Sequence, residues 1–470
     1  MKMSGNGGNR LSMGLFSVLT SLILLATLIF VNLTAAKLPS QYTEKDISGT
    51  GLYSLSEQTK ETIGQISEDI ELYWIVQSGE ENSELGVLLN RYSSLSHHIK
   101  VTKVDPIVNP GFAEQYTSDQ VNNNSIIAAG NNRSRLIDYS KIFVRNYNYF
   151  SDSDAETVFD GENQITSAID YINNGYMPKL YKLTGHGEKT LSSSLEEAIS
   201  RENYQLEKLD LVGLDSVPDD ADCIIIAGPA KDITEKEAEC LSDYIKKGGR
   251  LLVYTDYEHT ELPKLMSLLD GYGIEVEPGL ILEANQYMCY GNYPMQLLPV
   301  IGYHDITMPL VKGGYSVLVP MGHGLKLPEN SPSGITVTGL LQTSADSYAK
   351  EGKISSVSKA AGDPEGPFCL GAAIEDSGSK AKIVWYTSSD LLNKDYDELV
   401  NGSNSDLMLN SLGWLSGKDS SIAIHSKKIS GNKLTVPSGA AGHLGILLIG
   451  IIPLIYLAAG IVISMRRRKR

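Results

Sequence analysis

The sequence predicts an α/β protein anchored in a membrane at both ends, with a small thioredoxin-like layer ahead of a larger parallel-sheet domain. Three observations predict it. Residues 11–36 and 444–465 are apolar and free of Asp, Glu, Lys and Arg. Between them lie two blocks of strand-like and helix-like periodicity, and the second alternates strand with helix almost without interruption.

The two apolar stretches frame the rest of the chain. A helix needs roughly 20 apolar residues to cross the hydrocarbon core of a bilayer, and both stretches exceed that. Positive charge stays on the cytoplasmic side. Lys2 and Arg10 therefore hold residues 1–10 inside, and Arg466, Arg467, Arg468, Lys469 and Arg470 hold residues 466–470 inside. Residues 37–443 are then expected outside the cytoplasm, on the plasma membrane of a bacterium. A cleaved signal peptide is the rival reading of the first span, since Thr34, Ala35 and Ala36 are small enough for processing. The apolar core is longer than the ~7–15 residues of a signal peptide, which favours an uncleaved anchor.

Of 470 residues, some 400 remain outside the two spans, enough for two or three domains with cores of their own. Seven of the 40 basic residues sit at the two ends, so the stretch between the spans holds 33 basic against 56 acidic residues, a net −23. That balance argues against nucleic acid or anionic lipid headgroups as partners. Tyr outnumbers Phe 25 to 7, which suits amphipathic surfaces more than greasy ones. Cys223, Cys240, Cys289 and Cys369 form no CxxC pair and no metal-ligand spacing. Cys223 opens the apolar run CIIIA and reads as a buried thiol, leaving a Cys289–Cys369 disulfide as an open possibility.

Residues 37–155 form the first domain. Leu55, Thr59, Ile63 and Ile66 fall at helical spacing after Ser54, with Glu57 three residues later as a capping box. A strand over 70–76, a helix with Leu85, Leu88, Leu89 and Tyr92 on one face, and a strand over 99–104 make a βαβ unit. A break at Asn109-Pro110-Gly111, a helical turn over 112–116 and a hairpin over 125–137 complete a thioredoxin-like order. No cysteine precedes residue 223, so this layer carries no dithiol chemistry.

Beyond a boundary near residue 155, a helix over 162–172 leads into the second domain, residues 156–276. Strands are expected over 179–183, 205–209, 222–227 and 250–255, and helices over 193–202, 235–246 and 262–272. Thr234 with Glu237 makes a capping box, and Gly248-Gly249 closes the helix. Residues 277–380, rich in Gly, Pro and Ser with short apolar runs such as 315–319, read as a β-rich insertion or cap. A strand over 382–387 and a helix over 406–415 return to the α/β pattern within residues 381–436. Residues 437–443 are a joint.

The most distinctive string is LTGHGEKT, residues 183–190, at the carboxyl end of a strand, where open α/β sheets bind ligands. Gly185, His186, Gly187 and Glu188 would be presented there. Gly228 after the third strand, and Asp256, Glu258 and His259 after the fourth, could converge on the same crevice. The plain alternative is that the glycines serve the backbone, His186 satisfies a helix start and the acids are solvated. Chemistry would need more than is present. No GxSxG or GxCxG elbow follows any strand, and Asp256-Tyr257-Glu258 stands where a hydrolase or amidotransferase would place Ser or Cys. His186, Glu188 and His259 match no metal-ligand signature. His97-His98 reads as surface, and His304 and His323 as structural. No string matches GxxxxGK[ST], so no ATP is hydrolysed by that route.

LYSLSEQTKETI, VDPIVNPGFAEQY, FDGENQITSAIDYI, LYKLTGHGEKTL, DCIIIAGPAKDITEKEAECLSDYIKKGGRLLVYTD and LNSLGWLSG, in this order and spacing, resemble the auxiliary proteins of an uncharacterised class of ABC transport systems, of which the gliding-motility protein GldG is the namesake. The resemblance covers about residues 11 to 425. It implies a non-catalytic component working beside a multi-span permease and an ATPase subunit, without a cofactor. It also implies an α/β domain similar to class I glutamine amidotransferases but lacking the catalytic cysteine, and makes Gly185, His186, Gly187 and Glu188 a family signature. With two spans only, translocation cannot be this chain's own work. The leading expectation is therefore an extracytoplasmic accessory subunit of an ABC transporter. An envelope hydrolase acting near His186, and a ligand-binding or adhesion module without a transporter, are the alternatives.

Overall fold

The computed structural model describes residues 54–146 and 156–418 apart from 260, 278, 353 and 355, together with 427–428 and single residues between 22 and 30 and between 454 and 465. The spans 11–36 and 444–465, the joint 437–443 and the tail 466–470 thus lie wholly or largely outside the described residues. Described members of the spans, among them Leu22, Ile23, Ile29, Phe30, Leu454 and Ile463, are helical with exposed side chains. Among the described residues no helix is long and apolar enough to cross a membrane.

The first layer opens on the helix Glu57–Gly64. Its cap is Ser56, whose hydroxyl accepts from the Thr59 N–H, rather than the expected Ser54. Strands β1 (Ile70–Ile75) and β2 (Ile99–Val104) run parallel, joined by the helix Ser83–Leu95, which buries Leu85, Leu88, Leu89 and Tyr92. Strands β3 (Ser125–Gly130) and β4 (Arg133–Ile137) form the expected hairpin, and the sheet order is β2-β1-β3-β4.

The helix Gly161–Asn174 packs its apolar face into this same core. Ile165, Ala168, Ile169 and Ile172 lie with Ile70, Leu72, Leu88 and Ile126 rather than with the sheet that follows in sequence. Its buried Glu162 carboxylate accepts from the Ser56 N–H at 2.6 Å and the Thr59 hydroxyl at 2.7 Å, so the charge is satisfied where it is buried.

Strands β5 (Phe143–Asn146) and β6 (Glu156–Phe159) pair antiparallel just before that helix. The main sheet then begins with β7 (Lys179–Leu183), β8 (Gln205–Leu209), β9 (Cys223–Ala227) and β10 (Arg250–Tyr254), all parallel. Local signals set these elements. In the helix Glu235–Lys246 both halves of the Thr234/Glu237 capping box form. In β9, Cys223, Ile225 and Ala227 enter one core and Ile224 and Ile226 the other, the period of two that a strand covered on both faces requires. Helices Ser193–Arg201 and Ser403–Ser416 cover the first face; Glu235–Lys246 and Pro263–Asp270 cover the second.

The segment read as an insertion is rich in strands and widens the sheet. β11 (Glu275–Glu277) leads into it, and it supplies β12 (Leu280–Leu282), β13 (Gln296–Leu297), β14 (Val300–Ile301), β15 (Val319–Pro320), β16 (Gly324–Lys326), β17 (Ile335–Gln342), β18 (Tyr348–Lys350) and β19 (Cys369–Asp376). With β20 (Lys382–Tyr386), parallel to β10, the ten-stranded sheet runs β11-β16-β19-β20-β10-β9-β7-β8, with β17 also on β19 and β14 on β17. β19 is antiparallel to β20, which makes the sheet mixed around a five-stranded parallel centre. The apolar run 315–319 becomes strand only at Val319–Pro320, because Gly313-Gly314 and Tyr315 close the helix Met308–Gly313 instead. β12 pairs with β18 and β13 with β15. Finally β21 (Lys427–Lys428) returns to pair with β6. All four cysteines are free and buried, so Cys289 and Cys369 form no disulfide.

Candidate functional site

The carboxyl ends of β7, β9, β10 and β20 meet at one edge of the main sheet. After β7 the chain turns through Gly185 at φ 118° and Gly187 at φ 79°, backbone angles that L side chains rarely adopt. This turn swings His186 back under the loop, where it is only 6% exposed.

His186 is held on every polar atom. Its Nδ1 lies 3.0 Å from Glu188 Oε1, its N–H donates to Glu188 Oε2 at 2.9 Å, and its Nε2 lies 3.2 Å from Glu237 Oε2. Its carbonyl accepts from the N–H groups of Ala230 and Lys231. Glu237 is the residue whose carboxylate closes the capping box on the Thr234 N–H at 2.7 Å. Burial alone would raise its pKa; the Thr234 hydrogen bonds and His186 outweigh burial and hold the carboxyl below its ordinary range.

A second knot lies beside the first. Gly228, at φ 60°, lets Ser389 and Asp256 approach: a Cβ there would stand 2.5 Å from the Ser389 side chain and 2.8 Å from Asp256 Oδ2. Asp256 accepts from the Ser389 N–H and hydroxyl, each at 2.7 Å. Lys189 links the two knots. Its N–H donates to Ala227 O at 2.7 Å and its Nζ to Asp390 Oδ1 at 3.2 Å. Desolvation works against the Lys189 charge, but Asp390, Asp256 and Glu258 outweigh it and raise its pKa. His259 ends the short turn Tyr257–His259, and its side chain lies outside the described ones.

The structure thus gathers His186, Glu188, Gly228 and Asp256 at one sheet edge, but in two separate hydrogen-bonded networks, and in the first Glu237 Oε1 is buried without a partner. The sequence reading missed Glu237, Ser389, Lys189 and Asp390. Glu237 was legible as a cap, yet nothing local signalled its reach to His186. No sequence signal pointed to Ser389.

Thr255, the first residue past β10, is enclosed beneath this edge. It is 1% exposed, its Oγ1 lies 2.7 Å from His323 Nε2, and it accepts from Trp385 Nε1 at 2.8 Å. His323, fully buried and facing the Gly324 carbonyl through Nδ1, has its pKa pushed down to about 4 by burial, so it stays neutral. Among the described residues no group of three or more His, Cys, Asp or Glu side chains could hold a metal ion. For His186 the reason is geometric: both ring nitrogens are already directed at carboxylates on opposite sides. Surface depressions of 630, 490, 720 and 520 Å³ are lined by none of these residues.

No curated protein matches the chain. Similar solved structures include the mmIFT52 N-terminal domain (18% identity, 52% of this chain and 99% of that one, TM-score 0.39). They also include a putative ThuA-like protein from Parabacteroides merdae (12%, 52% and 91%, TM-score 0.33) and a putative GMP synthase protein from Thermoplasma acidophilum (12%, 52% and 96%, TM-score 0.28). A domain of unknown function, DUF7088, matches residues 49–145. The family described as ABC-type uncharacterized transport system matches residues 177–411, half of the chain, from just before β7 into the helix Ser403–Ser416. The chain therefore belongs to this family of auxiliary proteins of ABC-type transport systems.

Proposed function

We propose that the protein is a non-catalytic accessory subunit of an ABC transporter, standing outside the cytoplasm and working with a separate ATPase and a polytopic permease. The observation that carries this reading is the family match over the α/β domain. The lack of a GxSxG or GxCxG elbow after any strand, with Asp256-Tyr257-Glu258 following β10, supports it. The apolar stretches 11–36 and 444–465 and the basic tail support two membrane anchors. On this reading Gly185, His186, Gly187, Glu188, Gly228, Asp256 and His259 shape a surface that binds rather than reacts. The chain then divides into a thioredoxin-like layer, the amidotransferase-like domain and its β-rich extension.

The test is to solubilise native membranes gently and identify what co-purifies with the tagged protein, using an unrelated two-span protein as control. An ATPase and a permease in fixed ratio are expected. Recovery of the protein alone in several detergents would overturn the reading. Loss of a hydrolytic activity in His186→Ala, with the protein still in the membrane, would turn it toward an envelope enzyme.

A further inference from the structure

The two domains meet across a buried ionic joint. The helix Gly161–Asn174, whose apolar face belongs to the first layer, turns its polar side to the α/β domain. Ser167 hydroxyl donates to the Arg201 carbonyl, and Asn203 Nδ2 donates to the Ser167 carbonyl at 2.8 Å. Lys418, just past the helix Ser403–Ser416, lies 3.3 Å from Asp170 Oδ2 and donates to the Glu202 carbonyl at 2.6 Å. Arg135 on β4 reaches the Ser200 carbonyl at 3.1 Å.

Carboxylates and cations alternate through this joint. Asp160 Oδ2 lies 3.3 Å from Arg201. The Asn163 amide accepts from Arg201 Nε at 2.8 Å and donates to Glu202 Oε1 at 3.3 Å. Glu202 is 1% exposed and Asp160 4% exposed. Three buried acceptors nevertheless have no partner: Asp160 Oδ1, Glu202 Oε2 and Asn203 Oδ1. The joint is short of donors, and a buried acceptor without one is costly.

We propose that this joint is a proton-dependent latch: one proton held on Glu202 removes the charge from its buried, half-unpaired carboxyl and locks the first layer to the α/β domain, and its loss loosens them. The groups facing Glu202 are Asp160 and Asp170 from the first layer's helix, Arg135 from β4, and Arg201, Tyr204 and Lys418 from the α/β domain. Burial pushes the Glu202 carboxyl up to about 7, against the pull of Lys418 and Arg201. A carboxyl raised in the closed state stabilises it fully below its ordinary value and loses that contribution as pH rises through about 7.

Hydrogen exchange of the full-length protein tests the latch. After correction for intrinsic rates, amide protection in the helix Gly161–Asn174 should fall at least tenfold between about pH 5 and about pH 8. Glu202→Gln, which keeps a donor at that position, should abolish the fall, whereas the exposed Glu197→Gln should leave it intact. A pH-independent wild type, or an unchanged fall in Glu202→Gln, overturns the proposal. Should Glu202→Gln not fold, Lys418→Met removes a charge that favours the ionised form and must move the midpoint to higher pH; an unmoved midpoint overturns the proposal equally.

Discussion

His186 Nε2 lies 3.2 Å from Glu237 Oε2, tying the glycine loop after β7 to the cap of a helix 51 residues further along the chain. One carboxylate thus holds the ring and closes its own capping box. Glu237→Ala removes both contacts from a buried site and should cost about 2–4 kcal/mol, read as a lowered Tm. Glu237→Gln should cost less, because it still accepts from Thr234.

The same residue sets a pH dependence. Its carboxyl is held below its ordinary value in the folded protein. The stability it contributes is therefore present above the unfolded value of 4.5 and lost as pH falls through the folded one. His323 acts over a neighbouring window. The unfolded chain takes up its proton near 6.5 and the folded one only near 4, so stability drains away as pH falls between those values. Denaturant titrations of wild type and His323→Gln should converge as pH drops toward about 4, since the variant lacks this proton uptake.

Gly228→Ala should destabilise by about 1–3 kcal/mol or abolish folding. The new methyl would meet Ser389 and Asp256 inside contact distance at a φ that disfavours any side chain. Unfolding in urea measures the cost. If Ser389→Gly restores part of the loss, steric conflict is its source.

Burial raises the pKa of Cys223 and Cys369, and all four thiols are buried and free. An aromatic disulfide reagent should label none of them in the native protein and all four in denaturant. Rapid native labelling at Cys289 would place it at an opening that the fold does not have.

Much of the fold was written locally. The strands β7 and β8 and the helix Glu235–Lys246 fall on the residues that alternation, capping and glycine signals mark, because those signals act within a few residues. β19 was not legible, since CLGAAI has a glycine and two alanines, weak strand formers, where β9 has three isoleucines. The amphipathic face of the helix Gly161–Asn174 announced burial, but which core receives it is decided by contacts such as Glu162 with Ser56, over a hundred residues away. The site behaves alike. The turn at Gly185 and Gly187 was readable; the partners Glu237 and Ser389 were not, because they arrive from a helix and a turn distant in the chain.

Residues near the two ends of the described body meet at a few positions. Ser56 is hydrogen bonded to Glu162, and Lys427–Lys428 are laced to Val158–Phe159. A pull between the two ends of the body is borne by residues 158–162 and largely bypasses the main sheet. The α/β domain then hangs as a pendant on this clasp, held to the first layer through the polar face of the helix Gly161–Asn174.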